Sequence, residues 1–290
     1  MHHGRAKGRV GAGLRDQIVW RLLVATALIH LLFAIWPSID IAVSRAFFQS
    51  DGTFWLSKSG FAELVRMPIW LASVALAIIA AIMLCVSFGR GPKAQTDWRL
   101  WAFVTALYVT GPGLLVNVLL KQNWGRARPM TIEAFGGDKL FTPPFEIAGQ
   151  CASNCSFVSG EAASAAVMAI VLAVFFCNNL GKPAKAVVFA GLVAVFVLAS
   201  GLRVATGRHF LSDVVFAGLI MLILARLFYR AFGVTLPNRF GFLEAMRTDV
   251  MGVISAMFRF GGGNPSPEQD AAIPVPVLPE MEGTPLRRKV

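Results

Sequence analysis

The stretch Arg203-Val-Ala-Thr-Gly-Arg-His209-Phe-Leu-Ser-Asp213 joins two long apolar segments of the chain. Two further polar stretches also lie at the ends of apolar segments: Lys121-Gln-Asn-Trp-Gly-Arg-Ala-Arg128-Pro129 and Ser156-Phe-Val-Ser159-Gly160-Glu161. Charged groups at a membrane face are costly, so they usually serve a function. For cations, a small turn, a histidine and two carboxylates gathered there, the simplest function is the binding of a phosphate group.

The composition indicates an integral membrane protein. Of the 290 residues 56% are hydrophobic and only 15% are charged, with a mean hydropathy of +0.64, whereas soluble domains carry about 25% charged residues. The formal net charge of +11 is typical of cytoplasmic anchoring loops. It does not indicate a nucleic-acid partner, because no basic helix or interleaved aromatic stripe stands apart from the apolar segments.

The apolar segments predict an all-α, polytopic bundle of six transmembrane helices. A membrane-spanning helix needs about 20 mostly apolar residues. Six segments meet this requirement: Ile18–Trp36, Met67–Phe88, Trp98–Leu120, Phe157–Cys177, Ala184–Ala205 and Phe210–Phe232.

The basic residues predict the orientation of this bundle. Those of the N-terminus, of the loops 89–97 and 178–183 and of the C-terminal region fall on one side of a six-span arrangement. The positive-inside rule makes that side the cytoplasm. The three polar stretches then face the periplasm from a bacterial inner membrane, where their cations violate the rule and need a local reason.

The same pattern predicts the organisation of the chain. Residues 1–17 form a basic cytoplasmic N-terminus, and 18–232 form the six-span domain with a long periplasmic loop at 121–156. Apolar positions at helical spacing in 233–260 predict an amphipathic helix on the inner membrane surface. The Gly- and Pro-rich segment 261–290 is predicted to be a disordered cytoplasmic tail.

The cations and the small turn are suited to holding a phosphate. The planar fork of Arg128 and of Arg203 matches paired phosphate oxygens, and Lys121 supplies a point charge. Ser159 and Gly160 open the fourth span, where a helix N-terminus offers free N–H groups. Taken singly, the cations would be read as contacting lipid head groups and the serine as an ordinary N-cap.

His209 and Asp213 are four residues apart and therefore share one helix face. A carboxylate beside an imidazole fixes its tautomer, so that the other ring nitrogen acts as nucleophile or base. The alternative is a helix-capping histidine with a nearby surface carboxylate. Glu161 needs a role or a cationic partner beside a span, and Arg126 and Arg208 are further candidates for substrate contacts.

Cys151 and Cys155 lie close together in the polar loop. In an oxidising compartment they could form a small disulfide. A metal site is a poor alternative, because no histidine or further cysteine lies nearby in the sequence.

Two of the three stretches resemble signature motifs of the type-2 phosphatidic acid phosphatase (PAP2) family of membrane phosphatases. Its first motif, a lysine followed after six residues by Arg-Pro, is met by Lys121 and Arg128-Pro129. Its third motif, an arginine, then a histidine and an aspartate, is met by Arg203, His209 and Asp213. The resemblance covers about residues 18 to 232.

The second motif departs from the family pattern. The family usually has Pro-Ser-Gly-His, whereas this chain has Val158-Ser159-Gly160-Glu161. The family's histidine protonates the leaving oxygen, so the resemblance places Glu161 in that role, where an apolar setting would raise the pKa of a carboxyl. The alternative is that Glu161 binds a cationic or hydroxyl group of the substrate.

The resemblance implies a lipid phosphate or diphosphate phosphatase without a metal or other cofactor. His209 would form a phosphohistidine, oriented by Asp213, and water would release phosphate. The candidate substrates are lipid A phosphates, undecaprenyl diphosphate and phosphatidylglycerol phosphate. A lipid phosphotransferase with the same intermediate is one alternative. A transporter or non-catalytic lipid-binding protein is another, although its polar residues should lie near mid-membrane. The oligomeric state stays open.

Overall fold

The computed structural model describes residues 17–177, 180–235 and 239–261. The chain divides into two compact units, 1–253 and 254–290. The first unit contains all three polar stretches. Of the second unit, the described part is 254–261, which forms the last turns of a helix. The predicted basic N-terminus and the predicted tail lie outside the described residues, apart from residues 17 and 261.

The described chain is helical. Its helices are α1 (Gln17–Ile35), α2 (Ser38–Arg45), α3 (Gly60–Arg90), α4 (Trp98–Asn123), α5 (Gly160–Phe176), α6 (Lys182–Ala205), α7 (Leu211–Phe232) and α8 (Arg239–Gly261). Three short 3₁₀ turns cover Gly91–Lys93, Pro129–Thr131 and Glu133–Phe135. Within the described ranges the β structure is limited to isolated bridges, Phe48 with Phe54 and Ile132 with Lys139. The predicted all-α fold is confirmed.

Five of these helices are long and apolar enough to cross a membrane, namely α1, α3 with its following 3₁₀ turn, α4, α6 and α7. Helix α5 is equally apolar but has only 17 residues. The prediction of a polytopic membrane protein is confirmed, and the count of six spans depends on including this shorter helix.

Two helices begin three or more residues away from the predicted start. Helix α3 starts at Gly60 rather than Met67, because Ser59 caps it and its first, more polar turns precede the apolar run. Helix α5 starts at Gly160 rather than Phe157, because the Ser159 hydroxyl accepts a hydrogen bond from the N–H of Ala162 at 3.3 Å. Hydrophobicity alone misses both starts, since capping is read from hydroxyl geometry.

Helix α5 lies at the centre of the bundle and packs against α3, α4, α6 and α7. The first turns of its contact face are formed by small side chains, which let neighbouring backbones approach closely. The buried ones are Ala162, Ala163, Ala165 and Ala166. The N-terminus of α5 is therefore surrounded by the ends of its neighbours.

Helix α4 changes its geometry where the sequence carries Gly111-Pro112-Gly113. From Val109 to Leu120 it is a π-helix, and its last turn, Lys121–Asn123, is α-helical again. Proline has no N–H to donate, so the regular bonding pattern is interrupted there. The π-helical segment ends at Leu120, so Lys121 follows it directly at the end of the bundle.

Helix α8 covers the region in which an amphipathic helix was predicted. Its residues Phe242, Met246, Val250 and Val253 pack against the hydrophobic core, and the ring of Phe242 stacks on that of Trp101 at 5.6 Å between centroids. Its placement on a membrane surface stays a prediction.

The buried carboxylate of Asp249 anchors α8 to the loop before α4. It accepts hydrogen bonds from the N–H groups of Gln95 and Thr96 at 2.8 and 2.9 Å, and from the Thr96 hydroxyl at 2.7 Å. The charge of Arg90 lies 3.6 Å from the same carboxylate. One side chain therefore satisfies three donors of the loop that precedes α4.

We expect Asp249→Ala to destabilise the protein by about 3 kcal/mol, because three donors lose their charged acceptor. Thermal unfolding in detergent should show a fall of about 6–12 °C in Tm. Glu244→Ala, an exposed position on the same helix, is the matched control. Equal Tm values for the two variants would contradict the anchoring role.

Candidate active site

Backbone hydrogen bonds join the three polar stretches at one end of the bundle. The four bonds are Cys155 N–H to Lys121 O at 3.0 Å, Ser156 N–H to Arg126 O at 2.9 Å, Met130 N–H to Gly207 O at 3.0 Å and Ser159 N–H to Asp213 O at 3.2 Å. Cys155 directly precedes the second stretch and Met130 directly follows the first. Counting these two neighbours, the first two bonds join the first stretch to the second, the third joins the first to the third, and the fourth joins the second to the third. The structure therefore assembles the stretches into one site.

Two glycines allow this close approach. Gly125 has a φ of +67°, and a Cβ there would collide with the carbonyl of Ala148. Gly207 also has a φ of +67°, and its Cβ would collide with the ring of Phe54. Both positions combine a left-handed backbone with missing space, so glycine is required at each.

Lys121 and Arg128 meet at Asn154. The ammonium of Lys121 donates to Asn154 Oδ1 at 3.2 Å, and the Arg128 guanidinium donates to the Asn154 carbonyl at 2.8 Å. A Cβ on Gly160 would lie only 3.7 Å from Lys121 Nζ, so this ammonium lies beside the N-terminus of α5. The structure thus brings together two of the predicted phosphate-binding cations and the predicted anion-binding turn.

Arg203 is the third cation of the same site. Its guanidinium lies 3.5 Å from Glu161 Oε1, and its buried Nε has no hydrogen-bond partner within the described residues. A buried donor without an acceptor is costly and calls for an explanation. A bound phosphate oxygen would supply the missing acceptor.

Glu161 is engaged by two arginines. Its Oε1 accepts a hydrogen bond from Arg66 at 3.1 Å and lies close to Arg203. The predicted role as general acid does not fit these contacts, because an acid must carry its proton, whereas this oxygen serves as an acceptor for guanidinium groups. The contacts instead let Glu161 hold Arg203 in place.

His209 is buried and binds the second stretch. Its Nδ1 donates to the carbonyl of Ser156 at 2.8 Å, and Asp213 Oδ2 lies 3.6 Å from Nδ1, beyond hydrogen-bond distance. The prediction that Asp213 orients the ring directly is therefore corrected: the Ser156 carbonyl fixes the tautomer. Asp213 acts one step further out, accepting from the Ser156 hydroxyl at 2.5 Å.

Burial lowers the pKa of His209 to about 4, and the positive charges of Lys121 and Arg203 act in the same direction. The charge of Asp213 opposes this shift without cancelling it. The imidazole is therefore neutral at pH 7. Because Nδ1 carries the hydrogen, Nε2 has a free electron pair and can act as a nucleophile.

Arg126 is fully buried, and its guanidinium is hydrogen-bonded to other protein groups. It donates to Asp213 Oδ1 at 2.6 Å, to Asp40 Oδ2 at 2.7 Å, to the Ser212 hydroxyl at 2.8 Å and to the carbonyl of Thr142 at 2.9 Å. The prediction that Arg126 contacts the substrate is wrong. Its function is structural, since it is the shared cation of two buried carboxylates.

Asp40 was missed by sequence reasoning. It lies on α2, where its Oδ1 accepts from the Ser212 N–H at 2.8 Å, and it shares Arg126 with Asp213. Burial raises the pKa of Asp40, and the charge of Asp213 adds to this rise, whereas Arg126 opposes it. The sequence feature that could have identified it is a carboxylate flanked by two isoleucines in the predicted first outer loop.

Positive charge is in excess at the open side of the site. Burial, followed by the charge of Arg208, lowers the pKa of Arg128. Arg208 is exposed, so a substrate contact there stays a prediction. Among the residues that the structure describes, no group of three His, Cys, Asp or Glu side chains is placed to hold a metal ion. The arrangement offers donors for an anion.

Comparisons with known proteins place the chain in a family. A family model described as the PAP2 superfamily matches residues 99–235. The lipid A 4'-phosphatase of Francisella tularensis subsp. novicida (strain U112) is 34% identical over 207 residues, which cover 69% of this chain and 89% of that relative. The chain belongs to the PAP2 superfamily. The matched segment begins in α4 and extends beyond α7, so it contains all three polar stretches.

Two further proteins resemble this PAP2 chain. The lipid A 4'-phosphatase of Rhizobium etli (strain ATCC 51251 / DSM 11541 / JCM 21823 / NBRC 15573 / CFN 42) is 35% identical over 237 residues, covering 76% of this chain and 86% of the relative. The crystal structure of a transmembrane PAP2-type phosphatidylglycerolphosphate phosphatase from Bacillus subtilis matches with a TM-score of 0.46 and 22% identity, over 73% of this chain and 94% of that one. The family match and the two lipid A 4'-phosphatase relatives make this PAP2 protein an enzyme, a phosphatase, and its apolar helices are suited to a membrane.

We expect Arg126→Met to destabilise the PAP2 chain by about 3–5 kcal/mol, because Asp40 and Asp213 would be left buried without their shared cation. Thermal unfolding in detergent measures the loss. Arg208→Met removes an arginine of similar size from an exposed position and should leave Tm nearly unchanged. A small shift for Arg126→Met would contradict its role as the shared cation of the two carboxylates.

The low pKa of His209 predicts a loss of stability in acid. The unfolded chain binds this proton near pH 6.5, whereas the folded protein binds it only near pH 4, so stability present above pH 6.5 is lost as the pH falls towards 4. Relative to His209→Gln, which lacks this titration, the wild type should lose about 3 kcal/mol over that window. Parallel unfolding curves for the two proteins between pH 7 and pH 4 would contradict a buried, neutral imidazole.

Proposed function

We propose that this PAP2 phosphatase removes a phosphate monoester from the sugar head group of lipid A, through a phosphohistidine on His209. One observation carries the proposal: Lys121, Arg128 and Arg203 converge beside a neutral, buried imidazole, and the Nε of Arg203 lacks an acceptor within the described residues. A phosphoryl group is the ligand that three such cations and a helix N-terminus recognise together.

Binding is the first step. The two arginines offer planar pairs of donors to the phosphate oxygens, and Lys121 adds a compact charge beside Gly160 at the N-terminus of α5. These donors are directed at the oxygens that gain charge as the phosphoryl group transfers. Such stabilisation is usually the largest catalytic contribution. Glu161 keeps Arg203 in position through its Oε1.

Bond exchange at phosphorus follows. Nε2 of His209 attacks in line, a P–N bond forms, and the P–O bond to the sugar oxygen breaks. The Ser156 carbonyl holds the Nδ1 proton, and the negative charge of Asp213, 3.6 Å away, supports the imidazolium character that develops. The sugar oxygen leaves with a proton from solvent.

Water completes the turnover. It attacks the phosphorus of the phosphohistidine, the P–N bond breaks, and inorganic phosphate leaves while His209 becomes neutral again. Transfer of the phosphoryl group to another lipid would make the enzyme a phosphotransferase. The two outcomes differ in the yield of free phosphate.

The class of substrate is supported by the relatives. Two lipid A 4'-phosphatases match this chain over most of their own length. We therefore place lipid A ahead of undecaprenyl diphosphate and phosphatidylglycerol phosphate, and its 4'-phosphate ahead of its other phosphate. The charge distribution of the loops and the disulfide between Cys151 and Cys155 support a site that faces the periplasm, since disulfides persist in oxidising compartments.

The test is phosphate release by the purified protein in detergent from lipid A, undecaprenyl diphosphate and phosphatidylglycerol phosphate. We expect one phosphate per lipid A molecule, and mass spectrometry of the product should assign the loss to the 4' position. His209→Gln should reduce kcat/KM by at least about 10³-fold, because the nucleophile is removed. Its folding is checked by thermal unfolding.

His30→Gln is the matched control, since this histidine lies in α1 against Phe145 and Phe216 and outside the proposed site. It should retain the wild-type rate. Wild-type turnover by His209→Gln would overturn the phosphohistidine mechanism. Loss of substrate phosphate without release of free phosphate would replace hydrolysis by phosphotransfer.

A further inference from the structure

A five-residue loop closed by the disulfide between Cys151 and Cys155 lies against the phosphate site. Within it, Asn154 has a φ of +51° and is the one non-glycine residue with a positive φ among those the structure describes. Asparagine tolerates this left-handed conformation better than most residues. The loop therefore holds Asn154 in an orientation that an ordinary extended segment would not provide.

Asn154 binds two cations of the site at once. Its side-chain Oδ1 accepts from Lys121 Nζ at 3.2 Å, and its backbone carbonyl accepts from the Arg128 guanidinium at 2.8 Å. Lys121 comes from the end of α4, and Arg128 comes from the loop that follows. One residue thus sets the relative position of two groups that reach the site from different segments.

The residues that follow continue the same function. The N–H of Cys155 donates to the Lys121 carbonyl at 3.0 Å, and the Ser156 carbonyl accepts from His209 Nδ1 at 2.8 Å. Three consecutive residues therefore contact the cations, the backbone beneath them and the nucleophile. The disulfide ends at the middle one of the three.

The chemistry of an amide suits this position. Lysine and arginine side chains lose rotamer entropy when they are fixed, and holding them beforehand removes that cost from phosphate binding. An amide oxygen accepts their hydrogen bonds without neutralising their charge. A carboxylate in place of the side-chain amide would compete with the phosphate for Lys121.

We propose that Asn154, held by the Cys151–Cys155 disulfide, is a positioning residue that orients Lys121 and Arg128 for the phosphate. This inference rests on the proposed function, because it concerns the same phosphate site. It assigns the loop to substrate affinity rather than to folding alone.

The first test measures binding of inorganic phosphate to the detergent-purified protein by calorimetry, together with KM and kcat for lipid A. Asn154→Gly removes Oδ1 and keeps both the left-handed backbone and the carbonyl that Arg128 contacts. We expect Kd for phosphate and KM to rise about tenfold, with a smaller effect on kcat and no fall in Tm. Asn154→Asp should raise both constants further, because its carboxylate competes with phosphate.

Ser153→Ala is the matched control in this loop, since its side chain is exposed and contacts neither cation in the bonds described. It should leave the phosphate Kd and KM at wild-type values. A merely structural loop would instead lower Tm in all its variants and leave the phosphate Kd unchanged.

The second test addresses the disulfide. Dithiothreitol reduces the bond to two thiols and is itself oxidised to its cyclic disulfide, so wild-type protein should bind phosphate about tenfold more weakly after treatment. The double variant Cys151→Ser with Cys155→Ser should show the weak binding without reductant and no response to it. The double variant Cys85→Ser with Cys177→Ser, which removes the free cysteines, should behave as wild type in both conditions.

Unchanged phosphate affinity in Asn154→Gly, or in reduced wild-type protein, would overturn the inference. Neither measurement requires the cysteine variants to fold. Failure of the proposed function is distinguishable, because it would appear as absent phosphate release from every lipid while inorganic phosphate still binds and still responds to Asn154.

Discussion

The buried ion triad of Asp40, Arg126 and Asp213 is the interaction on which the site depends. Its three side chains are fully buried, and they come from α2, from the loop after α4 and from the first turn of α7. A guanidinium between two carboxylates must be bonded through most of its donors to remain stable in such surroundings. This requirement fixes the positions of the three segments relative to each other. Ser156 connects the triad to the nucleophile, because its hydroxyl donates to Asp213 and its carbonyl binds His209.

The charges of the site are arranged in two layers. The inner layer is closely hydrogen-bonded, since carboxylates and a hydroxyl satisfy the donors of Arg126. The outer layer carries Lys121, Arg128 and Arg203 with fewer opposing charges, and its neutral acceptor is Asn154. A hydrogen-bonded layer beneath a positive one gives a rigid base for an anion, because the outer cations are held without being cancelled.

Much of the fold and part of the site could be predicted from the sequence. The apolar segments predicted the all-α membrane bundle, and the spacing of the polar stretches predicted that Lys121, Arg203 and His209 would be neighbours. The function of Arg126 could not be predicted, because an arginine near a phosphate site and an arginine beneath it have the same sequence signature. Only the position of Asp40, 86 residues away in the chain, distinguishes a structural arginine from a substrate-binding one here.

Other contacts were missed for similar reasons. Arg66 belongs to the polar start of α3, which the hydrophobicity pattern excluded from the helix, so its bond to Glu161 could not be anticipated. The direct Asp213–His209 contact was expected from their spacing of four residues, but the carbonyl of Ser156 takes that place on the ring. Every residue has a backbone carbonyl, so the sequence does not show which carbonyl binds a given side chain. A partner of this kind is found only from the folded chain.

The four main-chain hydrogen bonds between the polar stretches have a consequence for how such an enzyme can diversify. Because amide and carbonyl groups are common to all residues, apart from the missing N–H of proline, the frame makes few demands on side-chain identity outside Gly125 and Gly207. Exposed positions on the rim, such as Met130 and Arg208, can be exchanged without dismantling it. A scaffold built in this way permits adaptation to different head groups by substitution at the rim, while the geometry around phosphorus is inherited unchanged.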